Sequence, residues 1–480
     1  MLLNQLLRGI LAGTLPSIFV IFTRFIQLKK TIRMNIKLLF AISISVVLAS
    51  SCKKSKDADP GGGGTVRDKV KDSAVDIARD IYLWYTQIPT SFNGQSYADP
   101  DKIMTGIRQY SKEPGFTNAV DRWSFAAKQS DWDDISGGIS QDFGISVFFL
   151  SEGDLRVKYV EKASPAGIAG LRRGWRITKI NGSTNINTAN ADFIVNAVFY
   201  SASTAFTFQK PDGTSVDITL NAGTYQEDPF FLDTVYTAGA SKAGYIVFNS
   251  FLGDTTAINN KLQAIFTRFA TEGVNDIIVD LRYNGGGYVS IQQKFANYLI
   301  NTAGNGGVMM SQKFNDKYSI YNETENFSKL GTINLSRIFF IVSSNTASAS
   351  ELLINNLKPY MTVKLVGPSS TYGKPVGYFP IPVGDWYVFP VSFRSTNKNN
   401  EGNYFNGFAP DKIVADGLSK DWGDKTEAPL ASILTYLSTG TFGLVLQNGR
   451  EVEGKLDAMR EVNDKLSETE FKGAVLNRRF

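Results

Sequence analysis

Residues 338–360 read IFFIVSSNTASASELLINNLKPY, and this stretch decides the interpretation of the carboxyl-terminal half of the chain. The apolar run at its start is typical of a buried strand, and the residues after Ser348 have the spacing of a helix that ends at Pro359. Ser348 and Glu351 fit a capping box, in which the serine caps the helix and the glutamate reaches back to it. A serine at a helix N-terminus is also well placed to act as a nucleophile, so both roles stay open at this point.

The residues that follow favour the nucleophile. The stretch VGPSSTYGKPVGYF (366–379) places Lys374 between glycines and apolar side chains, 26 positions after Ser348. A lysine amine acts as a base only when it is neutral, and desolvation in such surroundings lowers its pKa from about 10.4 to roughly 7 or 8, at a cost of about 4 kcal/mol. We therefore interpret Ser348 as a nucleophile and Lys374 as its general base. The alternative is a structural lysine on an exposed turn.

The composition removes the commoner catalytic pairs. The 480 residues include no histidine and a single cysteine, Cys52, which excludes a Ser-His-Asp triad, a Cys-His pair and zinc sites built from His and Cys. One cysteine cannot form an internal disulfide. We expect no metal and no cofactor. The formal net charge of +5 is spread over 50 basic and 45 acidic residues without a concentrated basic face, so we expect no nucleic-acid partner.

Upstream of this stretch the pattern is that of an α/β domain. AGYIVFNSF (243–251) and NDIIVDLR (275–282) read as strands, and TAINNKLQAIFTRFATEG (256–273) reads as an amphipathic helix between them. The glycine-rich NGGG (284–287) then leads into a helix over 288–300. Such a turn allows close backbone approach and presents free N–H groups. A nucleotide phosphate loop is disfavoured, because the Lys-Ser/Thr pair that follows such loops is missing.

Residues 137–222 contain short β-rich runs divided by turn residues, such as FGISVFFL (143–150). Between two of these runs lies SPAGIAGLRRGWRITKINGS (164–183), which resembles the central signature of PDZ domains, with Trp175 in place of the usual aspartate. The resemblance implies that an extended peptide adds to the domain as a strand, and that backbone N–H groups of one loop hold its terminal carboxylate. The loop residues are Phe143, Gly144, Ile145, Ser146 and Val147. A PDZ-like fold kept as a structural spacer is the alternative.

Three motifs follow the PDZ-like segment in order, and they are DLRYNGGG (280–287), TASASE (346–351) and TYGK (371–374). Together they resemble the carboxyl-terminal processing, or tail-specific, protease family over about residues 137–437. The resemblance implies a catalytic domain of the crotonase-like kind, with a core of mixed β-sheet and helices, and a peptide or protein substrate.

The resemblance also implies a role for each residue of the catalytic site. Ser348 is the nucleophile, Lys374 takes its proton, and the backbone N–H groups of Gly286 and Ala349 form the oxyanion hole. A helix N-terminus beside the nucleophile and a glycine turn opposite it are physically suited to supply two fixed donors. Ser350 is the rival nucleophile, and the family pattern favours Ser348.

The chain departs from the family pattern in two places. Tyr378 stands where family members commonly carry a glutamine that orients the lysine, so either another group orients Lys374, such as the Tyr378 hydroxyl, or the dyad works unaided. The serine-to-lysine spacing is one residue longer than usual, which a loop around 359–360 can absorb. Neither departure removes a reacting group, although weak or lost activity stays open.

The amino terminus predicts an exported lipoprotein. From Met34 the chain reads MNIKLLFAISISVVLASSC, a basic start, an apolar run and small residues before Cys52. This resembles a bacterial lipoprotein signal in which Cys52 is lipidated, so we expect a lipid-anchored protein of the cell envelope. A transmembrane anchor is the alternative, but the run is shorter than the roughly 20 residues that span a bilayer. We also hypothesise that translation starts at Met34.

These patterns predict a multidomain α+β chain. Residues 66–88 have the spacing of an amphipathic helix. The predicted function is that of a Ser/Lys endopeptidase acting on envelope or unfolded proteins near their C-termini, with an inactive peptide-binding lipoprotein and a ligand-binding surface lipoprotein as alternatives. The oligomeric state stays open. The predicted segments are a leader (1–52), a flexible tether (53–65), a small N-terminal helical domain (66–136), a PDZ-like β-rich domain (137–224), a crotonase-like α/β Ser/Lys peptidase domain (225–440) and a C-terminal tail (441–480).

Overall fold

The computed structural model describes residues 67–443, 459, 461–467 and 470–476. All of them belong to one compact unit, Arg67–Phe480. The predicted leader, the lipidation site at Cys52 and the tether lie outside the described residues. Within the described ranges, no helix combines the length and the apolar character that crossing a bilayer requires.

The amino-terminal part of the described chain is mainly helical, as the sequence predicts. Asp68 caps the first helix with its side chain. The predicted helix over 66–88 ends earlier, at Ile81, because the N–H of Leu83 donates to the distant carbonyl of Val391 and this contact is incompatible with a further helical turn. The elements of this region are α1 (Lys69–Ile81), α2 (Pro100–Ile107), β1 (Phe125–Lys128) and α3 (Gln129–Gly137).

The next module is an antiparallel five-stranded sheet whose strands follow one another in order, so that its first and last strands are the edges. Alternate side chains such as Val147, Phe149 and Val157 fill its core, in agreement with the predicted β-rich runs. A two-stranded pair closes the module at one end. The elements are β2 (Ile139–Asp142), β3 (Ile145–Ser151), β4 (Asp154–Val160), α4 (Pro165–Ile168), β5 (Arg176–Ile180), α5 (Ala191–Val195), β6 (Ser203–Gln209), β7 (Ser215–Asn221) and β8 (Gly223–Gln226). We call these residues, 139–226, the β3–β7 module.

The carboxyl-terminal half is built on a six-stranded sheet in which five strands are parallel and the edge strand β9 (Phe230–Ala238) is antiparallel. Its apolar strands are buried on both faces: Ile277 and Val279 pack against one helical layer, and Ile278 packs against a helix on the opposite face. The predicted strands and helices over 243–300 are confirmed. The elements are β9 (Phe230–Ala238), β10 (Ser241–Phe248), α6 (Thr255–Thr271), β11 (Asp276–Asp280), β12 (Gly286–Tyr288), α7 (Val289–Leu299), β13 (Val308–Phe314) and β14 (Glu323–Asn326).

The stretch 338–360 forms a strand, a turn and a helix, as predicted, and the sheet order is β21-β16-β15-β11-β10-β9. Two smaller antiparallel sheets complete the half. One joins β13, β14, β17 and β20, and the other joins β18 and β19 to β1 from the amino-terminal region. The elements are β15 (Arg337–Ile341), α8 (Ala349–Leu357), β16 (Thr362–Gly367), β17 (Val376–Gly377), β18 (Ile381–Val383), β19 (Trp386–Phe389), β20 (Phe393–Thr396), β21 (Lys412–Ile413) and α9 (Ala428–Thr439).

The described residues of the carboxyl-terminal tail are packed into the rest of the chain. Residues 461–466 are helical, and Leu466 is buried in the core of the β3–β7 module. The final strand, β22 (Gly473–Val475), pairs in parallel with β12. The sequence predicts only a C-terminal tail over 441–480, because the short apolar run in this strand gives no sign of the distant strand that it joins.

Candidate active site

Ser348 lies on a tight turn between β15 and α8. It is the residue immediately before α8, and its backbone has φ +58° and ψ −107°. A non-glycine residue is rarely found at positive φ, and such strain, of about 1–3 kcal/mol, tends to persist where it places a functional side chain. The side chain is 1% exposed, and its Oγ has no hydrogen-bond partner among the described residues. The hydroxyl is therefore held in place by the backbone rather than by a side-chain partner.

The Glu351 carboxylate ties this turn to the segment that carries Lys374. Its Oε2 accepts the backbone N–H groups of Ser348 and Lys374, each at 2.8 Å. Its Oε1 accepts the Thr371 hydroxyl at 2.6 Å and the Gly373 N–H at 2.7 Å. The predicted reach of Glu351 back to the helix start is thus confirmed. Burial raises the pKa of Glu351, while these hydrogen bonds to its charged form oppose the rise.

Lys374 is buried, so the exposed-turn alternative is wrong. The side chain is 1% exposed, and its Nζ lies 3.8 Å from the centre of the Tyr378 ring and 5.7 Å from that of Trp123. Desolvation holds the pKa of Lys374 well below its usual range, and the nearby charge of Asp121 only partly opposes this. The amine therefore has the environment that a neutral base requires.

The Lys374 amine donates a hydrogen bond to the carbonyl of Lys472 at 3.1 Å, whereas Ser348 Oγ has no hydrogen-bond partner among the described residues. The Tyr378 hydroxyl also donates to the Lys472 carbonyl, at 3.2 Å. It is consequently the face of the Tyr378 ring, rather than its hydroxyl, that meets the amine. The Lys374 amine, the Tyr378 side chain and the Lys472 carbonyl are therefore all in contact with one another.

The glycine turn (284–287) and the turn that carries Ser348 are tied together. The carbonyl of Asn284 accepts the Ala347 N–H at 3.0 Å and the Ser350 hydroxyl at 3.0 Å. Ser350 therefore has a structural hydrogen bond that Ser348 lacks, which favours Ser348 as the nucleophile. Asn284 Oδ1 also accepts the N–H of Gly286 at 2.9 Å.

Gly286 and Ala349 lie next to each other. Gly286 has φ +108°, and a methyl group added to it would lie 3.0 Å from the N atom of Ala349. Ala349 opens α8, so its N–H has no partner within the helix. Two backbone donors thus lie close to Ser348, although that of Gly286 points to the Asn284 side chain.

The amino-terminal region contributes two residues to the site that the sequence did not reveal. Trp123 flanks the lysine amine, and the buried carboxylate of Asp121 accepts the hydroxyls of Tyr82 at 2.8 Å and Ser124 at 2.6 Å. The aromatic run DRWSF (121–125) was the available signal. It carries no pattern that places it beside a lysine about 250 positions away.

The predicted carboxylate-binding loop and the glycine turn line a common cleft of about 840 Å³. Its lining includes Gly144, Ile145 and Ser146 from the loop, together with Gly286 and Tyr378. Phe143, Ile145 and Val147 are buried in the core of the β3–β7 module. Neither Ser348 nor Lys374 is among the described residues that line the cleft. Within the described part of the chain, no cluster of three or more acidic, histidine or cysteine side chains is arranged to hold a metal ion.

The fold and the site can now be compared with known proteins. Residues 242–414 match the model of peptidase family S41, and the chain is similar to proteases of the carboxyl-terminal processing kind over this range. The overall fold is mixed α/β and multidomain, and an S41 protease is among its structural neighbours. The motifs at 280–287, 346–351 and 371–374 all fall within the matched range.

Two curated relatives are named "Probable CtpA-like serine protease". The protein of Staphylococcus aureus (strain N315) is 29% identical over 247 residues, which are 50% of this chain and 46% of the relative. That of Staphylococcus saprophyticus subsp. saprophyticus (strain ATCC 15305) is 27% identical over 244 residues, 49% of this chain and 46% of the relative. This chain therefore spans about half the length of the curated relatives that it matches.

A solved structure shares the fold over most of the chain. The crystal structure described as an S41 protease from Bacteroides fragilis NCTC 9343 covers 80% of this chain and 100% of its own, with a TM-score of 0.63 and 22% sequence identity. The likeness extends beyond residues 242–414, since it covers more of the chain than the family model does.

Proposed function

We propose that this protein is a serine-type endopeptidase in which Ser348 is the nucleophile and Lys374 the general base. The observation that carries the proposal is the pairing of a buried, desolvated lysine with a serine at a strained helix start, joined by the carboxylate of Glu351. A structural lysine gains nothing from such burial, because removing an amine from water disfavours its charged form. The S41 match independently supports a protease.

The chemistry proceeds in two steps. The neutral Lys374 amine takes the proton of Ser348 Oγ–H, and Oγ bonds to the substrate carbonyl carbon, whose oxygen becomes an oxyanion. The C–N bond then breaks, Lys374 returns the proton to the leaving amine, and an acyl-Ser348 ester remains. Water, deprotonated by Lys374, attacks the ester and releases the acid, and the proton returns to Ser348.

The oxyanion is stabilised by the N–H groups of Ala349 and Gly286. Each fixed donor of this kind is worth about 3 kcal/mol when aimed at the developing charge. The Ala349 donor is supported by its place at the start of α8. The Gly286 donor must exchange its present acceptor, Asn284 Oδ1, for the oxyanion, which requires a small rotation of the glycine turn.

The substrate is a protein or peptide held near its C-terminus. The β3–β7 module acts as a PDZ-like domain that offers the outer edge of β3 for strand addition, and the loop at residues 143–147 holds the terminal carboxylate. Support for this role comes from β3 being an edge strand and from the loop sharing the cleft with the glycine turn. With Cys52 as the lipid attachment site, the enzyme acts in the cell envelope.

Cleavage of a denatured protein over a long incubation tests the proposal. Wild type and Ser350→Ala should produce fragments, and Ser348→Ala and Lys374→Met should not. An active Ser348→Ala chain would contradict the assigned nucleophile. If wild type binds peptides but never turns them over, the alternative of an inactive peptide-binding protein replaces the enzyme.

A further inference from the structure

We infer that the described residues of the segment 459–476, which are 459, 461–467 and 470–476, are an intramolecular occupant of both peptide-binding positions, the edge of β3 and the catalytic cleft, and that they hold the site closed. The inference rests on the proposed function, since it assigns a regulator to that same site. The segment is called the tail peptide below, and its sequence is MREVNDKLSETEFKGAVL.

The first contact of the tail peptide is with the backbone of the edge strand. The Asn463 amide accepts the N–H of Phe149 at 2.8 Å and donates to the carbonyl of Phe149 at 3.0 Å. These two backbone groups face away from β4 on the open edge of the sheet, where an added strand would bond. A side-chain amide that satisfies both groups occupies the place of an incoming peptide.

The helical part of the tail peptide is anchored on both sides of this edge. Leu466 is buried in the core of the β3–β7 module, and Val462 packs against the same core. On the other side, Lys465 pairs with Asp192 on α5. The tail helix therefore lies between β3 and α5, with its apolar side inward.

A buried ion pair fixes the middle of the tail peptide. Glu470 Oε1 accepts from the amine of Lys158 at 2.5 Å and from the Ser146 hydroxyl at 2.9 Å, and Ser467 accepts from the same amine at 3.2 Å. The Lys158 side chain is fully buried, so loss of the Glu470 carboxylate would leave its amine without this charged partner in the interior. Ser146 belongs to the predicted carboxylate-binding loop, so the Glu470 carboxylate of the tail already accepts a hydrogen bond from a residue of that loop. The contact of Asn463 with Phe149 and that of Glu470 with Ser146 follow β3 in the opposite order along the chain.

The end of the tail peptide enters the catalytic site. β22 pairs with β12, and the N–H of Gly473 donates to the carbonyl of Gly285 at 2.9 Å. On its other side, the N–H of Leu476 donates to the carbonyl of Tyr378 at 3.1 Å. A methyl group on Gly286 would lie 2.4 Å from the carbonyl oxygen of Gly473, so no substrate chain fits between them. The tail thus fills the space between the glycine turn and Tyr378.

The tail peptide also engages the base. The carbonyl of Lys472 takes the hydrogen bond of the Lys374 amine. Ser348 and Lys374 are each 1% exposed, so a substrate reaches them only after the tail leaves. Because the tail carbonyl bonds to the base, the segment is an inhibitor in this position rather than a substrate.

Hydrogen exchange measured by mass spectrometry on the full chain tests the occupancy without reference to activity. The amides of Gly473 and Leu476 should exchange slowly in wild type. Glu470→Gln removes the charged partner of Lys158 and should speed this exchange by about tenfold or more. Glu461→Gln is the matched control, since Glu461 lies on the same tail but is exposed, and it should leave the exchange unchanged. Unprotected tail amides in wild type would overturn the inference.

Labelling of Ser348 with a fluorophosphonate tests the blockade. Glu470→Gln should label about tenfold faster than wild type and Glu461→Gln, and added synthetic tail peptide should slow the labelling of Glu470→Gln. A peptide carrying both Asn463→Ala and Glu470→Gln should not slow it. If hydrogen exchange shows that the tail is released in Glu470→Gln, but Ser348 is labelled at the same rate as in wild type, the tail does not block the site. If hydrogen exchange behaves as expected but no chain is labelled, the tail occupies the site as inferred, and the proposed hydrolase activity is contradicted.

Discussion

Glu351 Oε2 accepts the backbone N–H of Lys374 at 2.8 Å, and the same oxygen accepts the N–H of Ser348 at the same distance. One buried carboxylate oxygen therefore fixes the positions of both proposed reacting residues. The carboxylate does not contact the reacting atoms, so Glu351 is a positioning residue. The family resemblance assigns no role to Glu351. The helix-capping pattern explains its bond to the N–H of Ser348, but not its bond to the N–H of Lys374.

Glu351→Gln is expected to lower the free energy of unfolding by about 3 kcal/mol, because an amide presents N–H groups where two of the four donors now point. Urea denaturation measures the change, and Glu461→Gln is the exposed control. The variant should also lose labelling of Ser348 by a fluorophosphonate. A Glu351→Gln chain as stable as wild type would show that the carboxylate does not hold the two segments.

Lys374→Met is expected to lower the rate of Ser348 labelling by about 10²–10⁴-fold, since the proposed general base is lost while the side-chain volume is kept. Its stability should stay equal to that of wild type or rise, because the native state no longer buries an amine. Thermal unfolding and labelling on the same sample separate the two effects. A variant that unfolds easily and regains labelling on stabilisation would point to a structural lysine.

The rate of Ser348 labelling is expected to rise with pH and to level off below pH 10.5, the ordinary pKa of lysine, because desolvation lowers the pKa of Lys374 and its neutral form is the base. Tyr378→Ala admits water beside the amine, so the midpoint of the pH profile should move upward. Tyr378→Phe keeps the ring that contacts the amine and should leave the midpoint in place. If both substitutions shift the midpoint equally, the hydroxyl and not the ring sets the lysine environment.

The lowered pKa of Lys374 also determines whether the free energy of unfolding rises or falls with pH. Because the folded pKa of Lys374 lies below the unfolded value, the folded chain binds fewer protons between these two pKa values. Native stability should therefore fall as pH decreases from the ordinary lysine pKa through the folded one. Lys374→Met should remove this part of the pH dependence, as measured by urea denaturation at several pH values. An identical pH dependence in both chains would contradict the lowered pKa.

Gly286→Ala is expected to lower Ser348 labelling by at least about 10²-fold, because the new methyl group disrupts the proposed oxyanion hole. Gly286 has φ +108°, and the methyl group would lie 2.4 Å from Gly473 O and 3.0 Å from the N atom of Ala349. Gly306→Ala is the control for backbone strain alone, since Gly306 has φ +78° with nothing within 4 Å. Both variants should lose some stability, and the control should keep its labelling. Equal labelling by the two variants would argue against a role for Gly286.

The sequence predicted the elements whose signals are local. The apolar runs of β10, β11 and β15 and the periodicity of α6 come from neighbouring residues, and the three motifs gave Ser348 and Lys374. The end of α1 was missed because a hydrogen bond from Leu83 to Val391 decides it. Contacts between segments hundreds of positions apart leave no periodic trace in either one.

Contacts between distant segments also explain which residues of the site the sequence does not predict. Asp121 and Trp123 reach Lys374 through tertiary folding, and the tail peptide reaches it through β22. The sequence predicts no packed element in the tail, because the apolar residues there are few and separated by charges. The burial of the tail depends on Leu466, Gly473 and the buried Lys158–Glu470 ion pair, none of which stands out in a sequence.

The most direct test of the central claim is the mass of the intact chain, and then of its peptides, after treatment with a fluorophosphonate. Wild type and Glu470→Gln should each gain one adduct on the peptide that contains Ser348, Ser350→Ala should retain it, and Ser348→Ala and Lys374→Met should lack it. An adduct on Ser350, or a Ser348→Ala chain modified as fast as wild type, would contradict the Ser348–Lys374 dyad.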